Sequence, residues 1–190
     1  MAAHSIPIFQ SHRFTRMTFD QLNRLDQAEF TETLAAIFEH SPWIAAETWP
    51  DRPFASVDAL HRAMCRTLAN ADSNAKLKLI RAHPKLAGKA AIRGELTDAS
   101  TQEQSGAGLN ACSPEEFALI AALNDAYDER FDFPFILAVR GHTPQSIIAN
   151  MQVRIDNERA VEIAEALRQI ERIALLRLAD TIAQQNSSKE

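Results

Sequence analysis

An imidazole followed by proline, His83-Pro84, stands seventeen residues before the run Ser100-Thr101-Gln102-Glu103-Gln104, and Phe133-Pro134-Phe135 follows further along the 190-residue chain. Together these supply a group that titrates near neutral pH, a carboxylate, an amide and a hydroxyl. Such a set can move a proton and hold a small polar molecule by hydrogen bonds. Pro84 disfavours the α conformation at His83 and has no N–H to continue a helix, so the helical pattern through Leu77 and Ile80 is expected to end at this imidazole, beside a loop. The alternative is that His83 only caps that helix. On a helix, Ser100 lies three and four residues before Glu103 and Gln104, so all three project to one side. The same spacing is also a capping box in which Ser100 and Glu103 satisfy backbone N–H groups, but that assigns no task to Gln104 or to the histidine. The segment Phe133 to Val139 can offer backbone N–H and C=O groups to a ligand, or can be a buried apolar linker.

Other chemistries find less support. The six histidines (His4, His12, His40, His61, His83 and His142) form no HExxH or His-x-His pair, and Cys65 and Cys112 stand far apart with no CxxC. Spacing therefore supports neither a metal site nor a disulfide framework. His40, before Ser41-Pro42, and His61, beside Leu60, read as structural or surface residues. Five glycines, none in a GxGxxG or Walker pattern, leave no basis for a dinucleotide or P-loop site. A net charge of −5, with scattered basic residues, argues against a nucleic-acid partner. Met1 to Gln10 lacks the basic start and apolar core of a signal peptide, and no stretch reaches the ~18–20 apolar residues of a spanning helix. The expectation is a soluble cytoplasmic protein with no membrane partner.

The elements that must position these side chains are helices. Thr18 with Gln21 and Asp26 with Glu29 have capping-box spacing, and Phe30, Leu34, Ile37 and Phe38 continue the apolar period of the second helix. Ser41-Pro42 predicts a capped short helix ending at Trp49-Pro50. Ser56 starts a helix with Val57, Leu60, Met64 and Leu68 on one face, and a turn over Asn70 to Ser73 precedes the helix that ends at His83. Lys85 to Gly94 reads as a loop, followed by a short helix around Ser100 to Gln104 that Gly106 and Gly108 stop. Ser113-Pro114-Glu115-Glu116 starts a helix through Phe117, Ile120, Leu123 and Tyr127, and Thr143-Pro144 starts another. Ala160 to Ile182 has the period of a long final helix. The prediction is an all-α, single-domain bundle of about eight or nine helices over 1–190, with fraying ends at 1–15 and 184–190.

His83-Pro84-x-Leu86, Ser100-x-x-Glu103-Gln104 with Gly108-Leu109, Phe133-Pro134-Phe135, Phe38-Glu39-His40-Ser41-Pro42-Trp43 and Arg52-Pro53-Phe54, taken in order, resemble the motifs of 2-oxo-4-hydroxy-4-carboxy-5-ureidoimidazoline (OHCU) decarboxylase. The resemblance runs from about Phe19 to Ile182. It implies a cofactor-free, metal-free, all-α enzyme of urate degradation, commonly a homodimer, that converts OHCU to (S)-allantoin and CO₂. It further implies that His83 is the acid–base residue with Glu103 beside it. Around the substrate it places Pro84, the run Ser100, Thr101, Gln102 and Gln104, and the segment Phe135, Ile136, Leu137, Ala138 and Val139. Arg177, in Leu176-Arg177-Leu178, matches a further family arginine. One departure is visible: Lys85 stands where the family often has aspartate. The competing readings are a non-catalytic helical interaction module, which needs no small-molecule pocket, and a cyclic-ureide hydrolase, which needs an activated water.

Overall fold

The structure, a computed structural model, describes residues 17–88 and 93–182. The ends expected to fray, 1–15 and 184–190, and residues 89–92 of the expected loop lie outside the described residues. Within them there are nine α-helices and no β-strand. They are α1 (Phe19–Arg24), α2 (Gln27–Thr33), α3 (Trp43–Thr48), α4 (Val57–Asn70), α5 (Ser73–Ala82), α6 (Asp98–Gly106), α7 (Pro114–Phe131), α8 (Pro144–Arg154) and α9 (Arg159–Thr181).

Local cap chemistry sets most helix starts. Reciprocal capping boxes join Thr18 to Gln21 and Asp26 to Glu29, a third joins Ser113 to Glu116 ahead of Pro114, and Ser56 accepts from the Ala59 N–H. Three expectations are corrected. Helix α2 stops at Thr33, because the chain then tightens into turns in which Ala35 and Ile37 donate to Glu32 and Leu34; Ile37 and Phe38 are buried all the same. Ser41 does not cap α3 with its side chain; Pro42 is the N-cap residue and Ser41 is buried. Thr97, not Ser100, caps α6, its hydroxyl accepting from the Ser100 N–H, so the capping box of Ser100 with Glu103 does not form.

Helix α9 packs on α4 and α5, α3 packs on α2 and α4, and α7 pairs with α8. One apolar cluster results, running from Phe19 to Ile182. Between α7 and α8 lies the longest unbroken buried run outside the described helices: all of residues 133–139 are buried in extended, non-helical form. Such backbone needs partners that a helix would have provided internally. Arg154 Nη1 donates to Ile136 O at 2.8 Å with its guanidinium 4.4 Å from the Phe135 ring centroid, and Gln169 Oε1 accepts from the Ala138 N–H at 3.0 Å. Arg154 is in turn paired with Glu162, a fully buried carboxylate that also accepts from Tyr127 Oη and from Asn157 Nδ2.

This network makes the connector depend on a buried ion pair. Removing one partner of such a pair leaves an uncompensated charge in apolar surroundings. Glu162→Ala is therefore expected to lower the unfolding free energy by about 3–5 kcal/mol, read from urea denaturation. An unchanged midpoint and slope would show that Arg154 holds the connector without its carboxylate.

Candidate active site

His83 is the C-cap residue of α5, with φ −75° and ψ 139°, the extended conformation required before Pro84. Its Nδ1 lies 3.0 Å from Leu79 O, an acceptor only, so Nδ1 carries the hydrogen and the neutral ring keeps the Nε2 lone pair for another partner. The capping and chemical readings of His83 are therefore compatible, one nitrogen serving each. The ring is buried. Burial pushes its pKa below the ordinary value of 6.5, as does the charge of Arg177, while the Leu79 hydrogen bond and the charges of Glu39 and Glu103 offset part of that shift.

Helix α6 presents Ser100, Glu103 and Gln104 on one side, as their spacing requires. Gln104 Oε1 accepts from the Ala87 N–H at 3.0 Å, and Asn124 Nδ2 donates to Leu86 O at 2.9 Å. These two amides hold the turn after Pro84, in which Ala87 adopts a left-handed φ of 48°. With its oxygen committed, Gln104 has an amino group that donates to no described residue.

Arg177, 6% exposed on α9, joins the remaining groups. Its Nε and Nη2 donate to Glu103 Oε1 and Oε2 at 2.8 and 2.9 Å, a bidentate pair, and Nη2 also donates to Ser100 Oγ at 3.3 Å. Its Nη1 donates to Glu39 Oε2 at 2.8 Å and to Ala36 O at 3.0 Å. All five guanidinium N–H groups are thus used. Glu39 is buried in the turn after α2. It also accepts from Ser100 Oγ at 3.2 Å and from Thr97 Oγ1 at 2.9 Å. Burial opposes its charge, but the charge and hydrogen bond of Arg177 and the bond from Thr97 outweigh burial and hold its pKa below 4.5.

A hollow of about 30 Å³ is lined by His83, Pro84, Ser100, Glu103, Gln104 and Arg177, together with Leu86, Phe135, Ile136, Leu137, Val139 and Ile173. That is room for about one water, so a ring-containing ligand requires the walls to part. Larger hollows adjoin it. One of about 340 Å³ shares His83, one of about 380 Å³ shares Glu103 and Arg177, and one of about 550 Å³ shares Gln104. Thr101 and Gln102 are exposed and line the second and third of these rather than the central hollow: Gln102 faces the 380 Å³ space and Thr101 the 550 Å³ space. Ala138 is not among the lining residues, its N–H being held by Gln169. Lys85 sits on the wall of the 340 Å³ cleft, paired with Asp128. Of the other histidines, His40 is exposed and His61 bonds to Glu171 O, as structural or surface residues would. Among the described residues no group of three or more His, Cys, Asp or Glu side chains is arranged to hold a metal ion.

Sequence reasoning assigned no task to Glu39, Ile173 or Gln169. The last two had a readable signal, since Gln169, Ile173 and Arg177 recur every fourth residue on one stripe of α9. Glu39 lies 138 residues from Arg177, with no local pattern linking them.

The family described as OHCU decarboxylase matches residues 23–179 of this chain. The chain is similar to the 2-oxo-4-hydroxy-4-carboxy-5-ureidoimidazoline decarboxylase of Halalkalicoccus jeotgali, 38% identical over 93% of this chain and 98% of that protein. It is also similar to the protein of the same name from Haloferax volcanii, 42% identical over 86% and 95% of the two chains. Among solved structures, it resembles an (S)-allantoin synthase with a TM-score of 0.69 and 30% identity, covering 87% of this chain and 54% of that longer one.

The geometry around Arg177 carries an expectation of its own. Arg177→Met removes the cation between two carboxylates, one of them deeply buried, and is expected to cost about 3–5 kcal/mol of stability. The deficit should shrink as pH falls, because Glu39 is held ionised chiefly by the arginine and protonates more readily once that charge is gone. Urea denaturation of both proteins between pH 4 and 7 checks this; a deficit that grows on acidification would contradict it.

Proposed function

The chain belongs to the OHCU decarboxylase family, and from that premise we propose that it decarboxylates 2-oxo-4-hydroxy-4-carboxy-5-ureidoimidazoline to (S)-allantoin at the hollow beside His83. The observation that carries the reading is the convergence on one hollow of His83, Ser100, Glu103, Gln104 and the connector from Phe135 to Val139, which come from three separate stretches of chain. An interaction module would give no reason for a neutral imidazole, a bidentate-held carboxylate and a free amide donor to meet in the interior.

The substrate carries a hydroxyl and a carboxylate on one ring carbon, beside a ring carbon that is doubly bonded to nitrogen and bears the ureido group. When the bond to the carboxylate breaks, CO₂ leaves and the electron pair moves into the ring, to rest on that nitrogen, which takes a proton from solvent. The resulting enol becomes allantoin when its hydroxyl proton is removed and a proton is added to the ureido-bearing carbon. A neutral His83 with Nε2 free can perform both operations, accepting the hydroxyl proton and returning it to carbon from one side. That single-sided delivery sets the chirality of the product.

The surrounding groups hold the substrate for this transfer. Glu103, fixed by Arg177, keeps lone pairs for the ureido N–H groups. The Gln104 amino group is a donor to ring oxygens or nitrogens, and Ser100 Oγ, whose hydrogen goes to Glu39, keeps one lone pair to accept from a ring or ureido N–H. Leu137 and Val139 line the hollow, and their backbone N–H groups, which make no hydrogen bond to a described residue, are suited to the planar edge of a cyclic amide. The single apolar cluster fits one catalytic domain. Two isolated cysteines fit a soluble, cytoplasmic setting, and no helix among the described residues is long and apolar enough to cross a membrane. A homodimer completes the reading, on the family resemblance.

Three measurements test it. His83→Ala is expected to lower stereoselective allantoin formation by about 10²–10⁴-fold while the helical circular dichroism is retained; wild-type enantiomeric excess in the folded variant would exclude His83 as the proton donor. The pH profile has a definite sign. Burial lowers the pKa of His83, and only the neutral ring accepts the substrate's proton, so kcat/KM should persist below pH 6.5 and fall as pH drops through the depressed value. An acid limb centred above 6.5 would contradict that assignment. Because the developing charge is delocalised within the substrate's own ring, activity should also survive dialysis against EDTA; loss on chelation with recovery on one stoichiometric metal would overturn the metal-free scheme.

A further inference from the structure

We propose that Glu39 is a positioning residue for this reaction: through Arg177 it fixes the carboxylate of Glu103, and its charge balances the imidazolium that His83 becomes while it carries the substrate's proton. This rests on the decarboxylase reading above.

Neutralising Arg177 does not require Glu39. Glu103 already makes a bidentate pair with that guanidinium, and burying a second carboxylate costs desolvation. Its placement supplies something the first pair does not. Glu39 Oε2 and Ala36 O hold Nη1, the end of the guanidinium remote from Glu103. With that end anchored, the guanidinium cannot turn about its Nε bond, and the Nε–Nη2 edge stays aimed at Glu103. The same carboxylate accepts from Ser100 Oγ and from Thr97, the N-cap of α6, so it also ties the start of the helix that carries Ser100, Glu103 and Gln104.

The charge count gives the second task. With His83 neutral, Glu39, Glu103 and Arg177 leave the buried protein groups with one excess negative charge. When His83 holds a proton the same four groups sum to zero. Without the charge of Glu39 the resting sum would be zero and the protonated sum +1, in a site from which water is largely excluded. The other charged groups around His83 are Arg81, Lys85, Asp128 and Asp132. They line the outer cleft, where Lys85 pairs with Asp128 and Arg81 with Asp132.

The experiment compares wild type, Glu39→Gln and Glu39→Asp with substrate generated in situ, following CO₂ release, (S)-allantoin by circular dichroism, and the pH dependence of kcat/KM. Glu39→Gln should lower kcat by roughly 100-fold with KM within about threefold of wild type, and should move the acid limb to lower pH because the imidazolium loses a neighbouring negative charge. Glu39→Asp keeps the charge but withdraws it by one methylene, so kcat should fall by about 10-fold while the acid limb stays in place. A wild-type kcat in Glu39→Gln, or a loss of activity with an unmoved acid limb, would overturn the inference. If Glu39→Gln does not fold, Glu39→Asp decides, since undiminished turnover there would overturn it equally. Failure of the wild-type protein to release CO₂ would instead overturn the decarboxylase reading itself.

Discussion

A buried guanidinium with every N–H committed is the constraint on which the site's geometry depends. Taking Arg177 out of water costs several kcal/mol unless its donors and charge are fully matched, so the fold must deliver its acceptors together. These acceptors come from the turn after α2 (Ala36 and Glu39) and from α6 (Ser100 and Glu103), while the arginine belongs to α9. Three segments distant in sequence are therefore placed relative to one another by one planar group. A lysine would not serve, because a single ammonium cannot present a rigid fork to one carboxylate and two further donors to a second acceptor set.

The same economy is visible at His83. A helix must end with unsatisfied carbonyls, and Pro84 enforces that end. Nδ1 of the imidazole satisfies Leu79 O in the last turn of α5, which fixes the tautomer and leaves the lone pair on Nε2. The helix terminus thus sets the protonation state that the proposed chemistry requires, and burial keeps the ring neutral at physiological pH. The orientation comes from a backbone carbonyl rather than from a carboxylate, which leaves Glu103 to pair with Arg177.

What was legible in the sequence was what local chemistry decides. The capping boxes at Thr18, Asp26 and Ser113, the break at His83-Pro84 and the shared face of Ser100, Glu103 and Gln104 each follow from residues within one turn of one another. The errors arose where two local solutions competed. Thr97 and Ser100 are both acceptable caps, and the choice falls to Thr97 because Ser100 and Glu103 are engaged with Arg177, 77 and 74 residues away. Likewise the apolar period through Ile37 and Phe38 reads as more helix, yet the chain turns there, with the adjoining Glu39 reaching Arg177. Pairings of that range leave no periodicity to find, so the motif Phe38-Glu39-His40 could be quoted without showing what its carboxylate does.

The extended connector explains why an otherwise helical protein keeps seven buried residues out of any helix. Helical backbone spends its N–H and C=O groups on itself and has none to offer a flat, amide-rich ligand. An extended segment leaves them available, at the cost of needing other support in the interior. Here Arg154 takes the carbonyl of Ile136 and Gln169 takes the N–H of Ala138, while Leu137 and Val139 line the hollow beside His83. Each of the two buried arginines thus holds one wall: Arg154 with Glu162 fixes the backbone wall, and Arg177 with Glu39 fixes the side-chain wall of α6. Since Gln169 and Arg177 lie on the same stripe of α9, a shift of that helix would displace both walls together, which makes α9 the element through which the two walls keep their common register.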